Sequence, residues 1–276
     1  PRRSNPLGQL LMRLPSSRLF YPVYLSRQLY LQEYQVTLDR LPRALDGLRI
    51  AYASDMHYGA YFDRDRAVDL AERLNALDAD LMILGGDYGE GGLESREFWQ
   101  ILPPLRARLG VIAVLGNHDR FKGSAQQLCR LIKQHGATPL VNDTLRFTYH
   151  DTSFAVCATD DLYRGSPDYA RVARQAAAER FVIYAPHSPD ALKAAYALSE
   201  KPFFDLALCG HTHAGQLFPG NLIVPFFNEN AWGYKRVHGL DTFVTAGTGY
   251  YGPPMRVGTN SEITVINMTF SKERAT

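Results

Sequence analysis

The sequence predicts an α/β fold, mixed α+β in its connections, with two stacked mixed β-sheets flanked by helices. Three observations carry that prediction. Strand-like and helix-like segments alternate from Tyr34 to His135. From Thr138 to Thr159, strand-like runs follow one another with no helix between them. Five polar motifs stand in order along the chain: Asp55-Met56-His57, Gly86-Asp87, Gly116-Asn117-His118-Asp119, His187 and Gly210-His211-Thr212-His213. Four of the five follow a run that reads as a buried strand, and groups at the carboxyl ends of several strands converge on one edge of such a fold.

Two regions are expected, a basic apolar arm over residues 1–34 and one domain over residues 35–276. In the arm, Leu7, Leu10, Leu11 and Leu14 recur at helical spacing until Pro15. A second patch, with Phe20, Tyr24, Leu29 and Tyr30, follows around Pro22. Arg2, Arg3, Arg13, Arg18 and Arg27 lie among them with no acid. That mixture suits a membrane surface; the alternative is a stripe packed on the domain.

In the domain, Val36–Leu38 and Arg49–Ser54 read as strands, the second ending at the first motif. Asp63 or Asp65 caps a helix to about Leu77, with Val68, Leu70, Ala71 and Leu74 inward. Leu81–Leu84 is a short apolar strand ending in Gly85-Gly86-Asp87. A helix is expected near Phe98–Leu109, broken or delayed by Pro103-Pro104. Val111–Leu115 is a strand ending at Gly116, and Ser124 caps a helix to His135. Thr138–Leu140, Leu145–Tyr149 and Ser153–Thr159 are strands, and an alanine-rich helix fits Asp168–Glu179. Phe181–Tyr184 leads to His187, Asp190–Leu198 is helical, and Leu206–Leu208 leads to Gly210-His211. Thr242–Ala246 and Ile263–Phe270 complete the sheets. Leu217–Tyr234 is rich in apolar and aromatic residues. It is read either as an apolar lip that receives acyl chains or touches a bilayer, or as a hairpin buried against the arm.

Hydrophobic residues at 46% and charged residues at 21% are ordinary for a globular domain with a core. The net charge of +2 hides an asymmetry, because residues 33–276 hold 25 basic against 28 acidic residues. A mildly acidic body argues against nucleic acid as a partner. Cys129, Cys157 and Cys209 have no paired spacing and read as buried small residues. No stretch reaches the ~20 apolar residues of a membrane span. The chain begins at Pro1 rather than methionine, so an upstream anchor or signal is expected to have been removed.

Asp, Asn and His offer oxygen and nitrogen donors, a set that suits manganese, iron, zinc or cobalt. A two-metal centre, with ions ~3.5–4 Å apart, needs a carboxylate able to bridge them. Asp87, after a strand and two glycines, is the best bridge, since glycine lets the backbone approach closely. Asp55 and His57 are two apart and would project to one side of a continuing strand. His211 and His213 share that spacing, and would serve different metals if the turn diverges.

The ordered set resembles the calcineurin-like metallophosphoesterase superfamily over roughly residues 48–270. The strings His211–Gln216 and Gly249–Arg256 resemble a narrower branch, bacterial and transmembrane metallophosphoesterases similar to enzymes acting on UDP-2,3-diacylglucosamine. The resemblance implies a metallophosphatase-like four-layer sandwich and two divalent ions, Mn, Fe or Zn. One ion would be held by Asp55, His57, Asp87 and His213, the other by Asp87, Asn117, His187 and His211. His118 would face the leaving oxygen as proton donor, with Asn117 helping to offset phosphoryl charge. Many relatives place an aspartate three residues after the bridge to support that histidine; here Glu90 stands there, and Asp119 is a second candidate for the task.

The implied function is a binuclear phosphohydrolase cleaving a phosphodiester or pyrophosphate, on a lipid-linked substrate such as UDP-2,3-diacylglucosamine. The alternatives are a non-catalytic scaffold of the same fold, a phosphomonoesterase, or a nuclease. Arg256, Arg120, Asp161 and Tyr250, with Tyr163 and Arg164, are the candidate substrate contacts, Arg256 first because a guanidinium matches phosphate oxygens in pairs. The expected location is at a membrane, peripheral or anchored, with contact through residues 1–33.

Overall fold

The computed structural model describes residues 28–198 and 202–271. Twelve strands form two six-stranded sheets among the described residues. The first has the order β1(Leu29–Leu38), β12(Ser261–Phe270), β2(Arg49–Ala53), β3(Leu81–Leu84), β4(Val111–Ala113), β5(Thr138–Pro139). The second runs β10(Gly233–Val237), β11(Leu240–Val244), β9(Leu206–Cys209), β8(Val182–Tyr184), β7(Thr152–Ala158), β6(Asp143–Tyr149). Both are mixed. β2, β3 and β4 run parallel, as do β7, β8, β9 and β11.

Alternation along the strands builds the layers. Ile50, Tyr52 and Ile83 point between the sheets and meet Phe154, Val156, Ile183 and Phe243. Their neighbours Ala51, Ala53 and Met82 turn outward to helices α1(Arg64–Ala76), α2(Gly92–Ile101) and, after the single turn α3(Asn117–Arg120), α4(Ala125–Gln134), through Leu70, Phe98 and Leu128. On the far side Ala155 and Cys157 meet Val172 of α5(Tyr169–Ala176) and Leu192 of α6(Ala191–Ala197). The expected two-sheet sandwich flanked by helices is what forms.

Several boundaries differ from expectation. β1 begins at Leu29, not Val36, and pairs with β12 over ten residues, so Leu29 and Tyr30 belong to the sheet. The leucine stripe Leu7–Leu14 and the rest of residues 1–27 lie outside the described residues. α2 starts at Gly92 and stops at Ile101, because Leu102 precedes Pro103 and turns to extended backbone. Helix α1 is capped by the Asp63 carboxylate on Arg66 N, and α4 by Ser124 on Gln127 N. Cys157 and Cys209 are buried, Cys129 partly.

The stretch after the last motif is not a buried hairpin. It forms helix α7(Gly220–Phe227), none of whose residues is buried, before β10 pairs with β11. Its apolar residues run all round the helix, so no single face could be hidden. No helix among the described residues is long and apolar enough to cross a membrane.

Candidate metal centre

The parallel strands end in register, so the loops after β2, β3 and β4 meet those after β8 and β9 at one edge. Each loop turns sharply as it leaves its strand. Asp55, His57, Asp87, His211 and His213 all adopt left-handed backbone, with φ of 58°, 48°, 53°, 72° and 51°. For residues with a Cβ that conformation costs on the order of 1 kcal/mol or more each, held by the surrounding structure. Asp55 and His57 therefore converge through a turn, not along a continuing strand, since β2 has ended at Ala53. Glycine is required beside them: a Cβ on Gly116 would fall 2.1 Å from Asp87 Oδ1. Gly86, at φ 97°, would set one 2.6 Å from the Gly116 nitrogen.

Donor atoms gather in groups tight enough to hold a metal. In each of three sets, Asp55–His57–His213, Asp87–His187–His211 and His57–Asp87–His118, the atoms lie within 4.8 Å of one another. His213 Nε2 lies 3.0 Å from His57 Nε2 and 3.6 Å from Asp55 Oδ1. Asp87 Oδ2 faces both sides, 3.2 Å from His187 Nε2 and 3.7 Å from His57 Nε2. Asn117 Oδ1 is 3.1 Å from His211 Nδ1. His211 and His213 thus diverge into different groups. His187 Nε2, fully buried and close to Asp87, has no aligned hydrogen-bond partner, while its Nδ1 is 2.8 Å from the Gly85 carbonyl. A buried imidazole nitrogen that faces a carboxylate without an aligned hydrogen bond, its other nitrogen fixed by a carbonyl, fits a metal ligand.

The charge balance agrees with that fit. Burial pushes His57 down to about 3 and His211 down to about 4, so both are neutral and their lone pairs free near pH 7. His213 is driven well down by burial, with His57 and the Arg256 guanidinium adding to it. Burial lifts Asp55 to about 6. Burial also opposes a charge on His187, but Asp87 and Asp55 outweigh it and raise it to about 10. Burial raises Asp87 too, yet the facing His187 outweighs it and holds the carboxyl well below its usual range. Without a metal, His187 carries a proton that neutralises a carboxylate; a divalent cation would replace that proton.

Around this centre, the supporting residues differ from expectation. The Glu90 side chain does not orient His118; its main-chain carbonyl lies 2.9 Å from His118 Nδ1. His118 Nδ1 then carries the proton and Nε2 is left toward the site. The His118 backbone N–H also donates to Asp87 Oδ1 at 2.8 Å. Asp119 does not share the task of supporting His118. Its buried carboxylate accepts from Asp87 N, Gly116 N and Tyr88 N at 2.8, 2.8 and 2.9 Å, with Ser95 Oγ at 2.7 Å. It ties the second motif to the third.

The four candidate substrate contacts are occupied otherwise. Arg256 is 0% exposed, and its guanidinium donates to the carbonyls of Ala246, Gly249 and His213 at 2.7, 2.5 and 3.3 Å. It stands behind His213 as a brace. Tyr250 is buried and its hydroxyl donates to the Tyr61 carbonyl at 2.7 Å. Arg120 is paired with Asp160. Asp161 closes a turn, accepting from the nitrogens of Tyr163 and Arg164 at 3.0 and 2.6 Å. Two aromatic residues do reach the site. Tyr163 stacks on His211 with centroids 5.1 Å apart. Tyr251, missed by the sequence reading, is exposed and sits edge-on to His118 at 5.0 Å. Gln216 grips the Tyr251 main chain at both its nitrogen and its carbonyl. An open cavity of about 530 Å³ lies beside it, lined by His211, His213, Gln216, Phe218 and Tyr251.

Clustered histidine and aspartate at the joined carboxyl ends of two stacked sheets define an α/β protein with a site able to hold metal ions. The profile of the calcineurin-like phosphoesterase family matches residues 48–215, and the chain belongs to that family. It is 32% identical over 247 residues to a transmembrane protein with metallophosphoesterase domain of Danio rerio, covering 85% of this chain and 56% of that protein. It is 28% identical over 253 residues to a metallophosphoesterase of Helicobacter pylori, covering 86% and 63%. The chain thus spans little more than half of these relatives' length. A solved archaeal phosphodiesterase is 16% identical, with a TM-score of 0.39 over 72% of this chain and 84% of that one.

Proposed function

We propose that the chain is a binuclear metal-dependent phosphohydrolase that cleaves a phosphodiester or pyrophosphate. The observation that carries the reading is Asp87, whose carboxylate stands between His57 on one side and His187 on the other. Asp55, His57, Asp87 and His213 would hold one ion, and Asp87, Asn117, His187 and His211 the other. Two divalent ions so held would supply a water of lowered pKa and offset charge at phosphorus. The chain's own groups do the rest. Asn117 adds a polar contact to the phosphoryl oxygens, and its neighbour His118, with Nδ1–H held by the Glu90 carbonyl, moves a proton at Nε2 to the leaving oxygen. His118 also lies within ligand distance of His57 and Asp87. Its backbone bond to Asp87 and its half-exposed position favour the proton-transfer role.

The substrate we assign is lipid-linked, UDP-2,3-diacylglucosamine being the example nearest in branch resemblance, with the protein at a membrane surface through its basic arm. The apolar cavity beside His211 supports this reading. A panel with added manganese tests it: bis-p-nitrophenyl phosphate, p-nitrophenyl phosphate, sugar-nucleotide lipids and phospholipids. Turnover of a diester or pyrophosphate is expected. Bound metal with no turnover of any member would make the chain a scaffold.

A further inference from the structure

We propose that helix α7, together with Trp232, is the face on which this protein docks onto an anionic lipid bilayer, opening the cavity beside His211 directly onto the membrane. The substrate half of this inference, acyl chains that pass along α7 while the phosphate meets the metals, rests on the phosphohydrolase reading. The docking half does not.

Four observations meet here. Not one α7 residue is buried; Phe226 is 85% and Phe227 69% exposed, and Phe218, Leu222, Ile223 and Trp232 are exposed beside them. A surface helix in water hides one stripe, whereas this one leaves apolar groups uncovered on every side, so contact with an apolar phase would remove a large unfavourable exposure to water. The cavity and the helix are continuous: Phe218, Pro219 and Gly220 form one wall and lead into α7, and His211, His213 and Tyr251 form the other. Two ammonium groups mark the carboxyl end of α7. Lys193 Nζ donates to the Phe227 carbonyl at 3.2 Å, and Lys235 Nζ to the Glu229 carbonyl. Asp190 compensates Lys193 and Glu229 faces His238, so Lys235 is the ammonium of the two that no acid pairs among the described residues. Last, β1 starts at Leu29 opposite Ser261, and the next residue, Glu262, accepts from Trp232 Nε1 at 3.2 Å. The described chain therefore begins beside Trp232, and the sequence before it, residues 1–27, holds five arginines and no acid. Aromatic residues at the boundary and basic residues against anionic headgroups are the two signals that stable surface binding needs.

The test uses the full metal-loaded chain and vesicles of phosphatidylcholine with phosphatidylglycerol, read by co-sedimentation. Phe226→Glu/Phe227→Glu should lower partition at least ~10-fold, from the apolar area lost. It should leave turnover of soluble bis-p-nitrophenyl phosphate unchanged, which shows that the domain is folded. Leu10→Glu/Leu11→Glu separates the arm from the helix. Three results would overturn the proposal: wild type that ignores the vesicles, binding lost only in the arm variant, or a wild-type dimer that the Phe226/Phe227 variant splits, which makes a second copy the occupant. Should wild type hydrolyse no soluble diester, the phosphohydrolase reading fails, a folded variant is recognised by its unchanged circular dichroism, and partition still decides docking.

Discussion

Replacing Arg256 separates a brace from a substrate contact. Its guanidinium donates to four carbonyls, those of Ala246, Gly249, His213 and, at 3.4 Å, Gly247, in a fully buried place. Arg256→Met would leave the Ala246 and Gly249 carbonyls without a donor, while His213 O keeps the Gln216 N–H, at roughly 1–3 kcal/mol each and about 2–6 kcal/mol together. Against this, burial pushes the Arg256 side chain down to about 10 from 12.5, so removing the cation returns about 3 kcal/mol. The net loss is about 1 kcal/mol at the middle of that range. Arg256→Lys keeps a buried cation but gives up the planar fork, so it loses at least as much as methionine does. That order, lysine no better than methionine, is opposite to what charge conservation suggests. Urea unfolding of the metal-stripped variants measures it, and manganese affinity should fall in both as the His213 turn loosens. A contact to substrate phosphate would instead raise KM, with lysine partly rescuing it, and leave the urea midpoint in place. Unfolding curves that superpose on wild type, with a raised KM, would refute the brace.

Three further outcomes follow from the same geometry. Asp87→Asn, which weakens both donor groups at once, should take bound manganese from two ions toward none, whereas Asp55→Asn should leave one; elemental analysis of an Asp87→Asn protein still holding two would remove Asp87 as the bridge. His118→Ala should cost on the order of 10²-fold or more on alkyl esters and much less on p-nitrophenyl esters, whose anion leaves without a proton; equal losses would end the general-acid role. Loading metal near pH 7 should expel about one proton, because His187 holds one up to about 10 while His57 and His211 hold none above about 3 and 4. The sign is fixed by His187: affinity tightens as pH rises from 7 toward 10, by roughly tenfold per unit. Calorimetry in two buffers of different ionisation enthalpy reads the proton, and identical heats would contradict it.

Strand ends are readable because short apolar runs stop abruptly at glycine, as Leu81–Leu84 does before Gly85 and Leu206–Cys209 before Gly210. Helices with a capping side chain, α1 after Asp63 and α4 after Ser124, were placed to within a residue or two. α2 was not, because its cap residue is Gly91, which offers no side-chain acceptor, and Pro103-Pro104 drew attention downstream of its end. α7 escaped because periodicity marks a helix only when one side is polar.

The support of the centre was less legible than its ligands, and the reason is which atoms do the work. A metal ligand must be a particular side chain, so Asp55, His57, Asp87, His187, His211 and His213 announce themselves by type and order. His118 is held by a main-chain carbonyl, which any residue at position 90 would supply, so the extra methylene of Glu90 carries no weight. Asp119 and Arg256 are charged residues turned inward onto backbone, and sequence alone does not tell an inward charge from one that meets phosphate. Tyr250 and Tyr251 show the limit most sharply. The segment is legible, but at these adjacent positions the side chains leave the bent backbone in different directions, so a slip of one residue exchanges inside for outside. Tyr250 went inward to Tyr61 and Tyr251 outward over His118, with Gln216 gripping the Tyr251 backbone to settle the choice. A rim residue is chosen by that direction, and the direction comes from a contact thirty-five residues away.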